Sequence, residues 1–181
     1  MKAICVYCGA NPGHDPQYAE AARALGRALV AQNLALVYGG GNVGLMGVIA
    51  DEVLQHGGEV TGVIPTALVE REVGHNGLTR QFIVKDMHER KAMMASLADG
   101  FIAMPGGMGT LEELFEMLTW SQLGIHRKPV GLLNVAGFYD HLAGFIRHAS
   151  AQGFIRAEHV ALMQLEAEPE RLLQRLKSAG A

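Results

Sequence analysis

The sequence predicts a Rossmann-like α/β fold: a doubly wound, mostly parallel sheet with helices on both faces, spanning residues 1–181 as a single domain. Three observations predict it. Short apolar runs alternate with amphipathic stretches from end to end. The runs are continuously apolar, as strands covered on both faces require. Glycine clusters follow two of them where strand gives way to helix, at the carboxyl edge on which such sheets bind ligands.

The elements follow in order. Ala3 to Cys8 reads as the first strand, with a loop from Gly9 to His14. Asp15 is then a natural N-cap and Pro16 fits the first helical position, with Tyr18, Ala22, Leu25 and Leu29 as the apolar face. Leu34 to Tyr38 is the second strand, and Gly39-Gly40-Gly41 turns into a helix over Val43 to Gln55, stopped by Gly57 and Gly58. Val60 to Ile64 is the third strand, followed by an irregular segment from Pro65 to Thr79. Gln81 to Val84 is the fourth strand, Met87 to Leu97 a helix, and Phe101 to Met104 the fifth strand. The helix Leu111 to Leu123, the strand Val130 to Leu133 and the helix Phe138 to Gln152 come next. A short element from Ala161 to Leu165 precedes a last helix, Pro169 to Lys177. No internal repeat or linker interrupts the pattern.

Composition narrows the function. With 49% apolar and 18% charged residues, the chain can bury a full core. A net charge of -3 with scattered Lys and Arg offers no general attraction to nucleic acid or to an anionic membrane. The first apolar run ends before Gly9, too short for a signal peptide, and no stretch is long enough to span a bilayer, so the expected location is the cytoplasm. Cys5 and Cys8 form a C-x-x-C spacing, but in a strand residues three apart face opposite sides. Buried, reduced thiols are expected. The eight histidines show no tight ligand spacing, and no serine sits in a G-x-S-x-G context, so neither a metal nor a serine nucleophile is expected.

The run Pro105-Gly106-Gly107-Met108-Gly109-Thr110-Leu111-Glu112-Glu113 is the most informative. A glycine-rich strand-to-helix turn presents unpaired N–H groups and the positive end of a helix dipole, which together hold an anion, most often phosphate. No Lys-Ser or Lys-Thr follows, so this is not a nucleoside-triphosphate loop. Glu112 and Glu113 fall in the first turn of the expected helix. They point about 100° apart, so only one can face a ligand at the turn. Gly39 to Gly44 matches G-x-G-x-x-G, yet the next strand ends Gly62-Val63-Ile64-Pro65 without the carboxylate that a dinucleotide ribose asks for. That turn is expected either to admit a nucleotide close to Gly41 or to be purely structural. His88-Glu89-Arg90-Lys91 adds two cations near the same edge.

Several of these segments, in this order, resemble the LOG ("Lonely Guy") family. They are Tyr7-Cys8-Gly9, Tyr38 to Gly41 with Gly44 to Gly47, Met87 to Lys91, P-G-G-x-G-T-x-x-E from Pro105 to Glu113, and Leu118 to His126. The resemblance covers about Lys2 to Leu172. It implies hydrolysis of the N-glycosidic bond of a purine nucleoside 5′-monophosphate, AMP or an N6-modified relative, to free base and ribose 5-phosphate. It further implies Arg90 and Glu113 as the catalytic pair. Glu72, Lys91, Gly106, Gly107, Met108, Gly109, Thr110, Glu112 and Thr119 would then serve the substrate, without cofactor or metal, in a homodimer. Met93, Met94, Leu114, Met117 and Leu118 are candidates for the dimer contact or for the protomer core. A nucleotide carrier on the same fold, and a pyridoxal-phosphate lysine decarboxylase, are the alternatives. Arg90 with Glu113 speaks for hydrolysis, since binding alone does not call for a carboxylate beside phosphate.

Overall fold

A computed structural model describes residues 1–69 and 74–180. Its centre is a seven-stranded, all-parallel sheet in the order β4-β3-β2-β1-β5-β6-β7. The strands are β1 (Ala3–Tyr7), β2 (Ala35–Tyr38), β3 (Val60–Pro65), β4 (Arg80–Val84), β5 (Gly100–Ala103), β6 (Val130–Leu133) and β7 (Met163–Glu166). The helices are α1 (Pro16–Ala31), α2 (Gly44–Gln55), α3 (Thr66–Val69), α4 (Met87–Leu97), α5 (Met108–Gln122), α6 (Asp140–Ala151), α7 (Ala157–Val160) and α8 (Pro169–Ala179). This is the expected Rossmann-like architecture. The strand order reverses between β1 and β5, and a crevice opens at such a switch point beyond the strands' carboxyl ends.

Period-2 alternation in the central strands divides the interior. Ile4, Val6, Ile102 and Met104 join α1, α2 and α8 in one core, while Cys5, Tyr7, Phe101 and Ala103 join α4 and α5 in the other. Cys5 and Cys8 are free, buried and in different cores, as the strand geometry requires. Tyr7 and Phe101 stack at 6.2 Å on the α5 side.

Most boundaries shift by a residue or two, the short helix α7 was not expected, and three differences bear on the site. Residues 66–69 form the short helix α3 rather than irregular chain. Val135–Gly137 is a 3₁₀ turn, so α6 begins at Asp140 rather than Phe138. The largest difference is at α5, which starts at Met108 with Gly107 as its N-cap. Its first turn holds no acidic residue, so Glu112 and Glu113 stand one turn further in.

Candidate active site

Three backbone segments meet at the switch point. The loop after β1 is tied to the loop after β5, since the Gly9 N–H donates to the Pro105 carbonyl at 3.0 Å and Met104 N–H to the Tyr7 carbonyl at 2.8 Å. It is tied to α2 as well, because Leu45 N–H donates to the Gly9 carbonyl at 2.9 Å. Gly44 makes the last approach possible: its φ is 60°, and a Cβ there would stand 2.5 Å from the Ala10 carbonyl oxygen. Between these segments lies a cleft of about 430 Å³.

One wall of the cleft is polar. Gly106, Gly107, Gly109 and Thr110 line it at the start of α5, where Gly107 provides no side-chain cap. The first amides of a 15-residue helix therefore face the cleft with the positive end of its dipole. Thr110 is only 4% exposed and packs over Gly106, where a Cβ would strike its hydroxyl. Glu113 and Arg90 line the same cleft.

Arg90 is 5% exposed and set from below. Its Nε donates to the Val63 carbonyl at 3.0 Å and one terminal nitrogen to the Gly39 carbonyl at 2.7 Å, at the ends of β3 and β2. The other terminal nitrogen lies 3.8 Å from the Met87 sulfur. Gly39 leaves room for this, since a Cβ there would fall on the guanidinium. Buried charge is tolerated here because carbonyl dipoles receive it.

The opposite wall is apolar: Tyr18, Leu45, Met46, Leu68, Met87 and Phe138. Cys8 closes the floor; burial pushes its thiol pKa up, so the sulfur stays protonated and unreactive. Tyr7 is buried in the core on the α4 and α5 side, and its hydroxyl pKa is likewise raised well above the usual phenol value, by burial first and by the nearby Cys5 and Glu113 next.

The structure thus brings Arg90, Gly106, Gly107, Gly109, Thr110 and Glu113 to one cleft. Other residues singled out in the sequence lie elsewhere. Lys91 points away between α4 and α5, paired with Glu112 and, at 3.0 Å, with Glu116. Burial lowers its pKa, but the hydrogen bonds it donates to these two carboxylates outweigh that and raise it. Glu112 is therefore a partner of Lys91 and not a lining residue, and Met108 is 84% exposed outside the cleft. Thr119 is an exposed residue of α5, away from the lining. Gly41 forms an isolated bridge to Gly74 and does not line the cleft. Glu72 lies outside the described residues. Met94, Leu114 and Met117 are fully buried in the protomer core, while Met93 and Leu118 pack partly buried against it.

Tyr18, Phe138 and the loop Gly9–Gly13 were not picked out as site residues by sequence. Tyr18 shares the helical spacing of Ala22, Leu25 and Leu29 and packs partly buried against their core, yet from the first turn of α1 it also lines the cleft. Among the described residues, no group of three or more His, Cys, Asp or Glu could hold a metal ion, and no helix is long and apolar enough to cross a membrane.

A family model described as "Possible lysine decarboxylase" matches residues 46–176. The probable cytokinin riboside 5′-monophosphate phosphoribohydrolase LOGL1 of Oryza sativa subsp. japonica is 56% identical over 155 residues, covering 86% of this chain and 70% of the relative. The cytokinin riboside 5′-monophosphate phosphoribohydrolase of Rhodococcoides fascians is 52% identical over 155 residues, covering 85% and 78%. Among solved structures, the molybdenum cofactor carrier protein of Chlamydomonas reinhardtii superposes with a TM-score of 0.73 over 99% of this chain and 98% of that one, at 19% identity, a likeness of fold. The chain belongs to the LOG family, that of the cytokinin riboside 5′-monophosphate phosphoribohydrolases.

Proposed function

From that membership and the cleft, we propose that this protein, working as one domain, hydrolyses the N-glycosidic bond of purine nucleoside 5′-monophosphates, releasing free base and ribose 5-phosphate. The observation that carries the reading is the shared cleft of Glu113, Arg90 and the uncapped amides of α5. The phosphate binds at the Gly106–Thr110 turn, where the dipole and the Thr110 hydroxyl receive it. Breaking the C1′–N bond passes through an oxocarbenium-like ribosyl cation. Glu113 stabilises that cation and orients the attacking water, and the water's proton ends on the departing base. Arg90, fixed by two carbonyls, brings its guanidinium charge to the ribose or the leaving base. Lys91 and Glu112 tie α4, which carries Arg90, to α5, which carries Glu113. Leu45, Met46, Leu68 and Met87 of the apolar wall accept the base, and both AMP and N6-prenylated relatives fit their chemistry.

The proposed assembly is a cytoplasmic homodimer joined through α4 and α5, whose Leu97 and Phe115 are exposed together with Leu123 and Ile125 just beyond. Light scattering is expected to give twice the 19.4 kDa chain mass; a fully active monomer refutes this part.

Side-by-side assay of AMP and adenosine tests the activity. Each hydrogen bond to the charged phosphate contributes roughly 1.5–3 kcal/mol, so the nucleoside is expected to be a very poor substrate. Equal release of adenine from both overturns the reading.

A further inference from the structure

The cleft ends in an aromatic corner to which the proposed hydrolysis assigns no role. Phe138, just past β6, and Tyr18, in the first turn of α1, meet edge to face with centroids 5.9 Å apart and planes at 81°. Phe138 also abuts Tyr139 at 5.0 Å, and the Tyr139 hydroxyl donates to the Met104 carbonyl at 2.6 Å. On the other side the Tyr18 ring lies over Gly13, whose φ is 76° and where a Cβ would stand 2.6 Å from the ring. Both rings are therefore held from behind.

The strand order fixes where this corner stands. Along the edge β3-β2-β1-β5-β6, Arg90 sits on the carbonyls ending β3 and β2, Gly9 follows β1, Gly106 follows β5, and Phe138 follows β6. Neighbouring strands are about 4.8 Å apart. With Arg90 and Glu113 at the reacting bond and the phosphate at Gly106–Thr110, the substrate runs from β2 towards β5. Its phosphate end then points at the two rings. A second phosphate would bring further charge against the Phe138 ring, which supplies no hydrogen bond to replace its hydration.

We propose that the Tyr18–Phe138 corner is a specificity determinant that ends the phosphate chain at one phosphate, admitting nucleoside monophosphates and refusing diphosphates. The proposal rests on the phosphate placement in the hydrolase reading above.

Calorimetric titration with AMP and with ADP tests it, in a Glu113→Gln background so that the ligand survives. AMP is expected to bind at least about tenfold more tightly than ADP, and Phe138→Ala and Tyr18→Ala each to shrink that ratio by about tenfold. Tyr18→Phe keeps the ring and should keep the ratio. A parent protein that does not discriminate, or a ratio unmoved by either alanine variant, overturns the proposal, as does loss of discrimination in Tyr18→Phe. Should one alanine variant fail to fold, the other decides. Normal discrimination without base release from AMP by the unmutated protein overturns the hydrolase reading and leaves the corner's role standing. Absence of binding by both nucleotides overturns the two together.

Discussion

Two glycine-rich turns leave the same edge of the sheet, one after β2 and one after β5, and their contents differ. The first, at Gly39 to Gly41, wraps the protein's own cation: the Gly39 carbonyl accepts from Arg90, and Gly41 pairs with Gly74. The second, at Gly106 and Gly107, packs against Thr110 and the Gly9 backbone and leaves the amides of α5 facing the cleft. A glycine cluster between strand and helix is thus a statement about close approach, and what approaches can be a ligand or a side chain. In this molecule the turn that most resembles a dinucleotide motif is the one already filled. Its glycines serve the site at one remove, by placing the guanidinium.

That contrast can be sharpened by substitution. The largest effect is expected at Glu113, which faces the open turn. Glu113→Gln should keep the fold and the nucleotide affinity while slowing base release by on the order of 10²–10⁴. Glu112→Gln, which only loosens a contact to Lys91, should stay near the wild-type rate. Equal losses in the two variants would remove Glu113 from its special role. Next comes Gly39→Ala in the filled turn. Its backbone conformation suits alanine, so the penalty is the collision with Arg90. A displaced guanidinium should cost about 10² in kcat/KM, the scale of a misplaced positioning group. Unchanged turnover would mean that the Arg90 position is immaterial. Smallest is Gly106→Ala in the open turn, which pushes on the Thr110 hydroxyl. The KM for AMP should rise about tenfold with kcat less affected. A fall in kcat at constant KM would place the turn at the reacting bond instead of the phosphate.

Much of this was legible in the chain, because the strands' apolar runs and the Asp15-Pro16 cap report local physics. Asp15 accepts from the Gln17 amide at 2.9 Å, and α1 begins at Pro16, as those residue types dictate. Gly107 was harder. Glycine reads as a helix breaker, yet here it is the N-cap, so the helix claims Met108, Gly109 and Thr110 and carries Glu113 into its second turn. Lys91 was illegible for a different reason. A lysine beside a proposed phosphate site reads as a ligand for it, and only the tertiary meeting of α4 with α5 reveals Glu112 and Glu116 as its partners. Tyr18 shows the limit of periodicity, which identifies an apolar face but not which of its members also borders a cleft.

The place of β1 in the sheet bears on how the protein is made. Of the seven strands, the first in chain order is the central one, paired on one side with β2 and on the other with β5. Its first partner follows after a single helix, so β1 to β4 can associate as one unit early in synthesis. The second partner emerges only after α4 is complete, and until then the flank of β1 that awaits Gly100–Ala103 is an unpaired edge. The cleft spans that seam, with Gly9 on the early side and Gly106 on the late one. Nucleotide binding should therefore report the closing of the seam: a ligand that grips both loops favours the finished sheet over the half-built one.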